Sequence, residues 1–208
     1  MSGRVICLAQ QKGGAGKTTL AAMLAAALSG RGSVALIDSD PQGSLGMWAR
    51  ARAEEPVTGI ACKSESAWGV SSAAKSLRRD HDFVIVDTPP KIDSDLRPAL
   101  RAADLVLVPA APSPLDLWAT EDALELAGRE AGSVLLVLNR VPARGRLSEA
   151  LQEVVAQMDV RRAETPIRAR VAYAEAMGSG LGVTEKARWK AAGAEIRALA
   201  DEISGLFT

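Results

Sequence analysis

Five short runs along the chain are almost continuously apolar and rich in β-branched residues: 4–9 (RVICLA), 34–38 (VALID), 83–87 (FVIVD), 104–109 (DLVLVP) and 134–139 (VLLVLN). They do not alternate apolar with polar, so they predict strands buried on both faces, as in a parallel sheet. Between them the spacing of apolar residues becomes helical, over 18–29, 66–79, 94–102, 115–130 and 147–158. A final stretch, 184–206, sets Ile196, Leu199, Ile203 and Leu206 on one helical stripe. Strands alternating with helices predict βαβ crossovers. The expected fold class is therefore α/β: a doubly wound, mainly parallel sheet with helices on both faces. In such sheets ligands bind beyond the carboxyl ends of the strands, and that is where the unusual residues of this chain fall.

The 208 residues are 48% apolar, ample for one large core, and no repeat, low-complexity tract or linker divides them. A single domain over 1–208 is expected. The first strand begins within a few residues of Met1, so neither a signal segment nor an N-terminal helix-turn-helix module is expected. No apolar run approaches the roughly 20 residues that span a bilayer. Acidic and basic residues balance at 25 each. The molecule as a whole is thus no attractor for nucleic acid, although a local basic face remains open. Cys7 lies in an apolar run and reads as a small core residue; Cys62 reads as an ordinary thiol of a reducing compartment.

The chemistry starts at Gln11-Lys12-Gly13-Gly14-Ala15-Gly16-Lys17-Thr18-Thr19, set between a strand and a helix. A glycine-rich loop turns backbone N–H groups inward around phosphate oxygens, and the helix start adds the positive end of its dipole. Lys17 is placed to reach the β- and γ-phosphates, and Thr18 to put its hydroxyl on Mg²⁺. The regular spacing GxxxxGK[ST] would have glycine where this chain has Gln11, and a second lysine, Lys12, stands inside the loop. Two apolar runs end in carboxylates: Asp38-Ser39-Asp40-Pro41-Gln42, and Asp87 ahead of Thr88-Pro89-Pro90. A carboxylate at a strand's carboxyl end, in the same sheet as a phosphate loop, is what Mg²⁺ recruitment needs. Alone, each aspartate reads equally well as a strand-end cap.

KGGAGKTT, DSDPQ and FVIVDTPP, in this order and approximate spacing, resemble the deviant Walker A, A′ and B motifs of the ParA/MinD superfamily of ATPases. The resemblance extends over essentially the whole chain. It implies ATP and Mg²⁺ as cofactors, slow hydrolysis to ADP and phosphate, and an ATP-dependent homodimer that sandwiches two nucleotides. It also implies roles. Lys12 is the signature lysine that crosses the dimer interface to the other subunit's nucleotide. Gly13, Gly14, Ala15 and Gly16 cradle phosphates, Lys17 binds β and γ, Thr18 ligates Mg²⁺, and Thr19 contacts the α-phosphate. Asp40 helps position the attacking water with Asp38 nearby, also a candidate at the metal, and Asp87 holds Mg²⁺ through water. Asn139, with Arg140 beside it, matches the position that reads adenine; an asparagine ending a strand is also a common turn former.

The segment PAAPSPLDLWATEDALEL resembles the proline-rich stretch of the small ParA-type proteins that partition plasmids or position other cargo. That implies a nucleoid-associated, cytoplasmic switch that binds DNA without sequence preference and is stimulated by a cargo-bound partner protein. Arg161, Arg162, Arg168, Arg170, Lys186, Arg188 and Lys190 are the candidate DNA contacts, and a solvated helical face explains the same residues. Two other readings share the fold. A MinD-like membrane switch would use a basic amphipathic tail, but here Glu195, Asp201 and Glu202 face anionic lipid, so core packing of the stripe and no membrane are expected. A biosynthetic enzyme such as dethiobiotin synthetase would share the loop without Lys12 and the DPQ turn. A plasmid, a chromosomal locus and a protein cluster all remain open as cargo.

Overall fold

The structure, a computed structural model, describes residues 2–90, 96–142 and 149–207. Strands β1 (Arg4–Leu8), β2 (Val34–Asp38), β3 (Ala61–Ser64), β4 (Phe83–Asp87), β5 (Leu105–Ala110), β6 (Val134–Val141) and β7 (Ile167–Arg168) pair into one sheet. Its order is β3-β2-β4-β1-β5-β6-β7, and every pairing is parallel. Around it lie α1 (Lys17–Leu28), α2 (Ser44–Ala53), α3 (Val70–Leu77), α4 (Arg97–Ala102), α5 (Pro114–Glu130), α6 (Glu149–Gln157), α7 (Val171–Gly178) and α8 (Lys190–Gly205).

The five apolar runs are the five inner strands. Their side chains alternate between the two faces of the sheet, because successive strand residues point to opposite sides. Ile6, Leu8, Leu36, Ile85, Leu105 and Leu107 pack under α1 and α8. Val5, Cys7, Ile37, Val84, Val86, Val106 and Val108 pack under α3, α4 and α5. The two strands that periodicity misses are the two edges. Edge strands are not buried on both faces, so they carry no continuous apolar signal: β3 (ACKS) is mostly exposed, and β7 is two residues long.

Helix α2 is missed because its inner face holds an arginine. Arg52 is 1% exposed and pairs with Glu185 at 2.6 Å, while its Nε donates to the Thr58 carbonyl at 2.9 Å. The stretch 184–206 is not one helix. A 3₁₀ turn at Ala187–Trp189 precedes α8, pinned where the buried Trp189 indole donates to Glu175 at 2.8 Å. Within α8, Ile196, Leu199 and Ile203 are fully buried in the core, which is the packing expected for that stripe. The stretch 66–79 is helical from Val70 on, after a turn closed by the Gly69 amide on the Ser66 carbonyl. The starts of the stretches 94–102 and 147–158 lie outside the described residues. Among the described residues no helix is long and apolar enough to cross a membrane.

Candidate nucleotide site

β1 is central, and its carboxyl end delivers the chain into the glycine-rich loop. Two loop glycines, Gly14 and Gly16, sit at φ 80° and 88°, a backbone that L-residues rarely adopt because a side chain there meets the following carbonyl. Gly16 is also the N-cap of α1 and makes no side-chain cap bond, so the first amides of α1 are left for an anion. Lys17 lies 7% exposed at the floor of the loop, where its ammonium donates to the Gln10 carbonyl at 3.0 Å. Burial pushes this lysine's pKa down, while Asp87 and Asp40 pull it back up. A partly desolvated cation at the base of a ring of amides is suited to phosphate oxygens.

Asp38 and Asp87 close β2 and β4 at the same register level. Asp38 is committed to the protein: its two oxygens accept from the Asp40 amide at 3.2 Å and the Gly46 amide at 2.8 Å, so it fastens the start of α2. Asp40 lies beyond the strand in a turn, accepting from the Gln42 amide at 2.9 Å. Asp87 is 0% exposed, and neither of its carboxylate oxygens meets a donor at good hydrogen-bond geometry, although the Thr18 hydroxyl lies close enough to act on it. Burial pushes its carboxyl up to about 7; the Thr18 hydroxyl and Lys17 pull the other way, and Asp38 adds to the rise. A buried carboxylate beside a threonine hydroxyl and an anion cradle fits a magnesium nucleotide. When bound, Mg²⁺ would neutralise phosphate charge, with Thr18 and Asp87 holding it.

Beside the loop opens a cavity of about 340 Å³, lined by Gly16, Thr19, Met23, Asn139, Arg168, Arg170 and Tyr173 among others. It lies directly against Gly16 of the loop and Thr19 of α1. Asn139 borders it, but the side-chain amide is already engaged: Nδ2 donates to the Ala15 carbonyl at 2.7 Å and Oδ1 accepts from the Arg140 amide at 3.0 Å. Asn139 thus ties β6 to the loop while its amide retains a second N–H and a second lone pair, and Arg140, at φ 59°, sits at the irregularity in β6 between Asn139 and Val141. The far wall is organised by Glu195 of α8. It accepts from the Arg168 amide at 3.2 Å, from Arg170 at 2.6 and 3.1 Å and from the Tyr173 hydroxyl at 3.1 Å. Burial most, and then the Glu195 charge and its bond to the hydroxyl, push the tyrosine's pKa up, while Arg170 pulls the other way.

Residues 6–183 match the CobQ/CobB/MinD/ParA nucleotide binding domain family. The chain belongs to this family. It is 33% identical over 205 residues to the Maintenance of carboxysome distribution protein A of Halothiobacillus neapolitanus, covering 95% of each chain. It is 34% identical over 218 residues to the protein of the same name from Gloeobacter kilaueensis, covering 96% of this chain and 94% of that one. Protein ParA of Rhizobium radiobacter is 30% identical over 179 residues, covering 81% of this chain and 80% of its own. The fold matches apo McdA of Cyanothece (TM-score 0.81, 18% identity, 96% of this chain and 99% of that one). It also matches MinD of Pyrococcus horikoshii bound to Mg-ADP (TM-score 0.78, 20% identity, 98% and 96%). A Cyanothece McdA complex of the same fold holds ATP. By family this is a ParA/MinD-type ATPase.

The candidate DNA contacts divide. Arg161, Arg162, Lys186, Arg188 and Lys190 are exposed. Arg168 and Arg170 are partly exposed and also bonded within the protomer, to the Pro142 carbonyl at 2.9 Å and to Glu195, and they line the cavity beside the loop. Arg188 lies over the Trp189 ring at 4.6 Å. Asp116, Thr120 and Asp122 stood in the quoted PAAPSPLDLWATEDALEL but drew no individual role, and Glu195 was read only as part of the tail's polar face.

Proposed function

We propose that this protein is an ATP-driven switch that positions a cargo by binding the nucleoid as an ATP dimer. The observation that carries the reading is the side chain of Lys12. It stands at the head of a loop whose own phosphate lysine is already provided by Lys17, and it remains about half exposed (49%), available to a second protomer. In the dimer Lys12 would supply a cation in trans to the phosphate charge that develops during hydrolysis, as an arginine finger does. Turnover is then slow alone and rises when a cargo-bound partner completes the arrangement, releasing monomers. The exposed basic residues give the dimer weak, salt-sensitive hold on DNA. Two relatives matched over nearly their whole length bear names concerned with carboxysome distribution, which supports a large protein body as the cargo.

The test is binding to random-sequence duplex DNA with ATP, with ADP and without nucleotide, at low and moderate salt, beside anionic liposomes. ATP-dependent, salt-sensitive DNA binding with no liposome binding is expected. Liposome binding would move the protein to a membrane-switch role, and neither would return attention to a biosynthetic use of ATP.

A further inference from the structure

A second concentration of cations lies at the amino ends of the strands, away from the phosphate loop. A cavity of about 440 Å³ opens there, where α3 and α4 end and the chain enters β1. Lys75, Arg78, Arg79 and Arg101 line it with Ser2 and Ser71, and none of the described residues that line it carries a carboxylate. Two of the four cations are held by acids that stand outside the lining. Arg78 donates from Nε to the Gly3 carbonyl at 3.0 Å and from Nη2 to Asp104 at 3.0 Å. Asp104 also accepts from the Val5 amide at 2.8 Å. Arg101 donates from Nε to Glu130 at 2.6 Å, and Glu130 accepts from Arg97 at 2.7 Å as well. These bonds use only part of the five N–H donors on each guanidinium, so both arginines are oriented and keep donors for a ligand. Lys75 and Arg79 are exposed, and no ion pair among the described residues engages either. Of the acids that follow α3, Asp80 does not line the cavity and Asp82 is bound to Ser33.

Lys75 and Arg101 lie in the last turns of α3 and α4, where one cation offsets a helix's negative end. Arg78 and Arg79 come in addition. Even with Asp104 set against Arg78, and Glu130 shared between Arg97 and Arg101, the hollow keeps an excess of positive charge. Like charges gathered around a hollow repel, and a bound anion removes that repulsion. We propose that this cavity binds a small oligophosphate anion, at a site separate from the phosphate loop. Arg78 and Arg101 offer oriented N–H groups to phosphate oxygens, and Lys75 and Arg79 neutralise the remaining charge. The cations enclose a hollow with the volume of a small-molecule site, which favours a compact anion over the long backbone of a duplex. None of the large apolar side chains exposed among the described residues lines it, so it offers no anchor for a membrane.

The test is isothermal titration calorimetry of the full chain with sodium tripolyphosphate at constant ionic strength, with ADP saturating so that the phosphate loop is filled. One site per protomer is expected, with orthophosphate binding more weakly. Lys75→Gln combined with Arg79→Gln should weaken tripolyphosphate about 2- to 30-fold, roughly 1.4- to 5-fold for each exposed charge removed. Both side chains are exposed, so the double variant is expected to keep its circular dichroism spectrum and Tm. Arg101→Gln, which leaves Arg97 on Glu130, is an independent variant and should weaken the anion as well. No binding to the wild-type chain, or equal binding in wild type and variants, overturns the site. Displacement of tripolyphosphate by random-sequence duplex DNA at equal phosphate concentration also overturns it, and makes this face a nucleic-acid surface instead.

Discussion

Asp38 and Asp87 end neighbouring strands side by side, yet only Asp38 has its carboxylate satisfied by the protein. The protomer thus carries a buried acid whose oxygens lack a well-placed donor. Asp87→Asn should abolish Mg²⁺-dependent hydrolysis while raising the stability of the nucleotide-free protein by on the order of 2 kcal/mol, or about 4–8 °C in Tm. The pH dependence follows from the direction of the shift. The folded carboxyl titrates near 7 against 3.8 when free, so folding retains a proton between these values and stability falls as pH rises through them. The Tm gap between variant and wild type should therefore widen from pH 4 to pH 7 and then level off. A gap of constant size across that range would show that Asp87 is not the source.

Asn139 bridges β6 to the loop at the Ala15 carbonyl, next to the left-handed Gly16. A Cβ on residue 16 would lie 2.6 Å from the asparagine amide, so Gly16→Ala pushes on the strut and strains the backbone together. Asn139→Ala should weaken ATP and ADP binding alike by about tenfold, the worth of one buried hydrogen bond. If ATP is weakened but GTP is not, Asn139 reads the base directly. Fluorescent nucleotide titration separates the two.

What the sequence made legible is what is local. The inner strands announce themselves because burial on two faces demands continuous apolar runs, and the phosphate loop because its amides come from consecutive residues. The cavity beside the loop was not legible: its walls come from α1, from Asn139 and Arg140, from 167–174 and from Ile196, joined only by folding. The same holds for Arg168 and Arg170, which as isolated cations resemble a surface patch until Glu195 is seen beside them.

Arg52 shows the converse, a charged residue that reads as surface and is buried. It spans α2, the Thr58 and Gly180 carbonyls and Glu185, and stacks near Trp48. Arg52→Ala would leave the Thr58 and Gly180 carbonyls without this donor and Glu185 with only the Gly182 amide, and should cost about 3–5 kcal/mol, some 6–20 °C in Tm. Arg31→Ala, which breaks a pair with the well-exposed Asp201, should cost under about 1 kcal/mol. Thermal unfolding monitored by circular dichroism compares them.

Asp40 lies in the turn after β2, with one oxygen bound to the Gln42 amide and the rest of the carboxylate free of the strand. A residue placed there can orient water without being needed to hold the loop or the start of α2, which Asp38 secures. Asp40→Ala should therefore retain ATP binding, lose at least about tenfold in hydrolysis and accumulate as an ATP dimer. Size measurement that finds only monomer with ATP would count against it.

The divided basic residues give the sharpest contrast. Arg170 is tied to Glu195 at the cavity wall, whereas Lys186 and Arg188 are exposed on the turn before α8. Arg170→Ala should weaken nucleotide binding about 3- to 10-fold through a loosened wall, with DNA affinity at saturating ATP unchanged. Lys186→Ala combined with Arg188→Ala should leave nucleotide binding intact and reduce the slope of log affinity against log salt by about 1–2, one unit for each phosphate contact removed. If instead Arg170→Ala lowers that slope at saturating ATP, the pair with Glu195 must open on DNA, and the cavity wall and the DNA surface are one element.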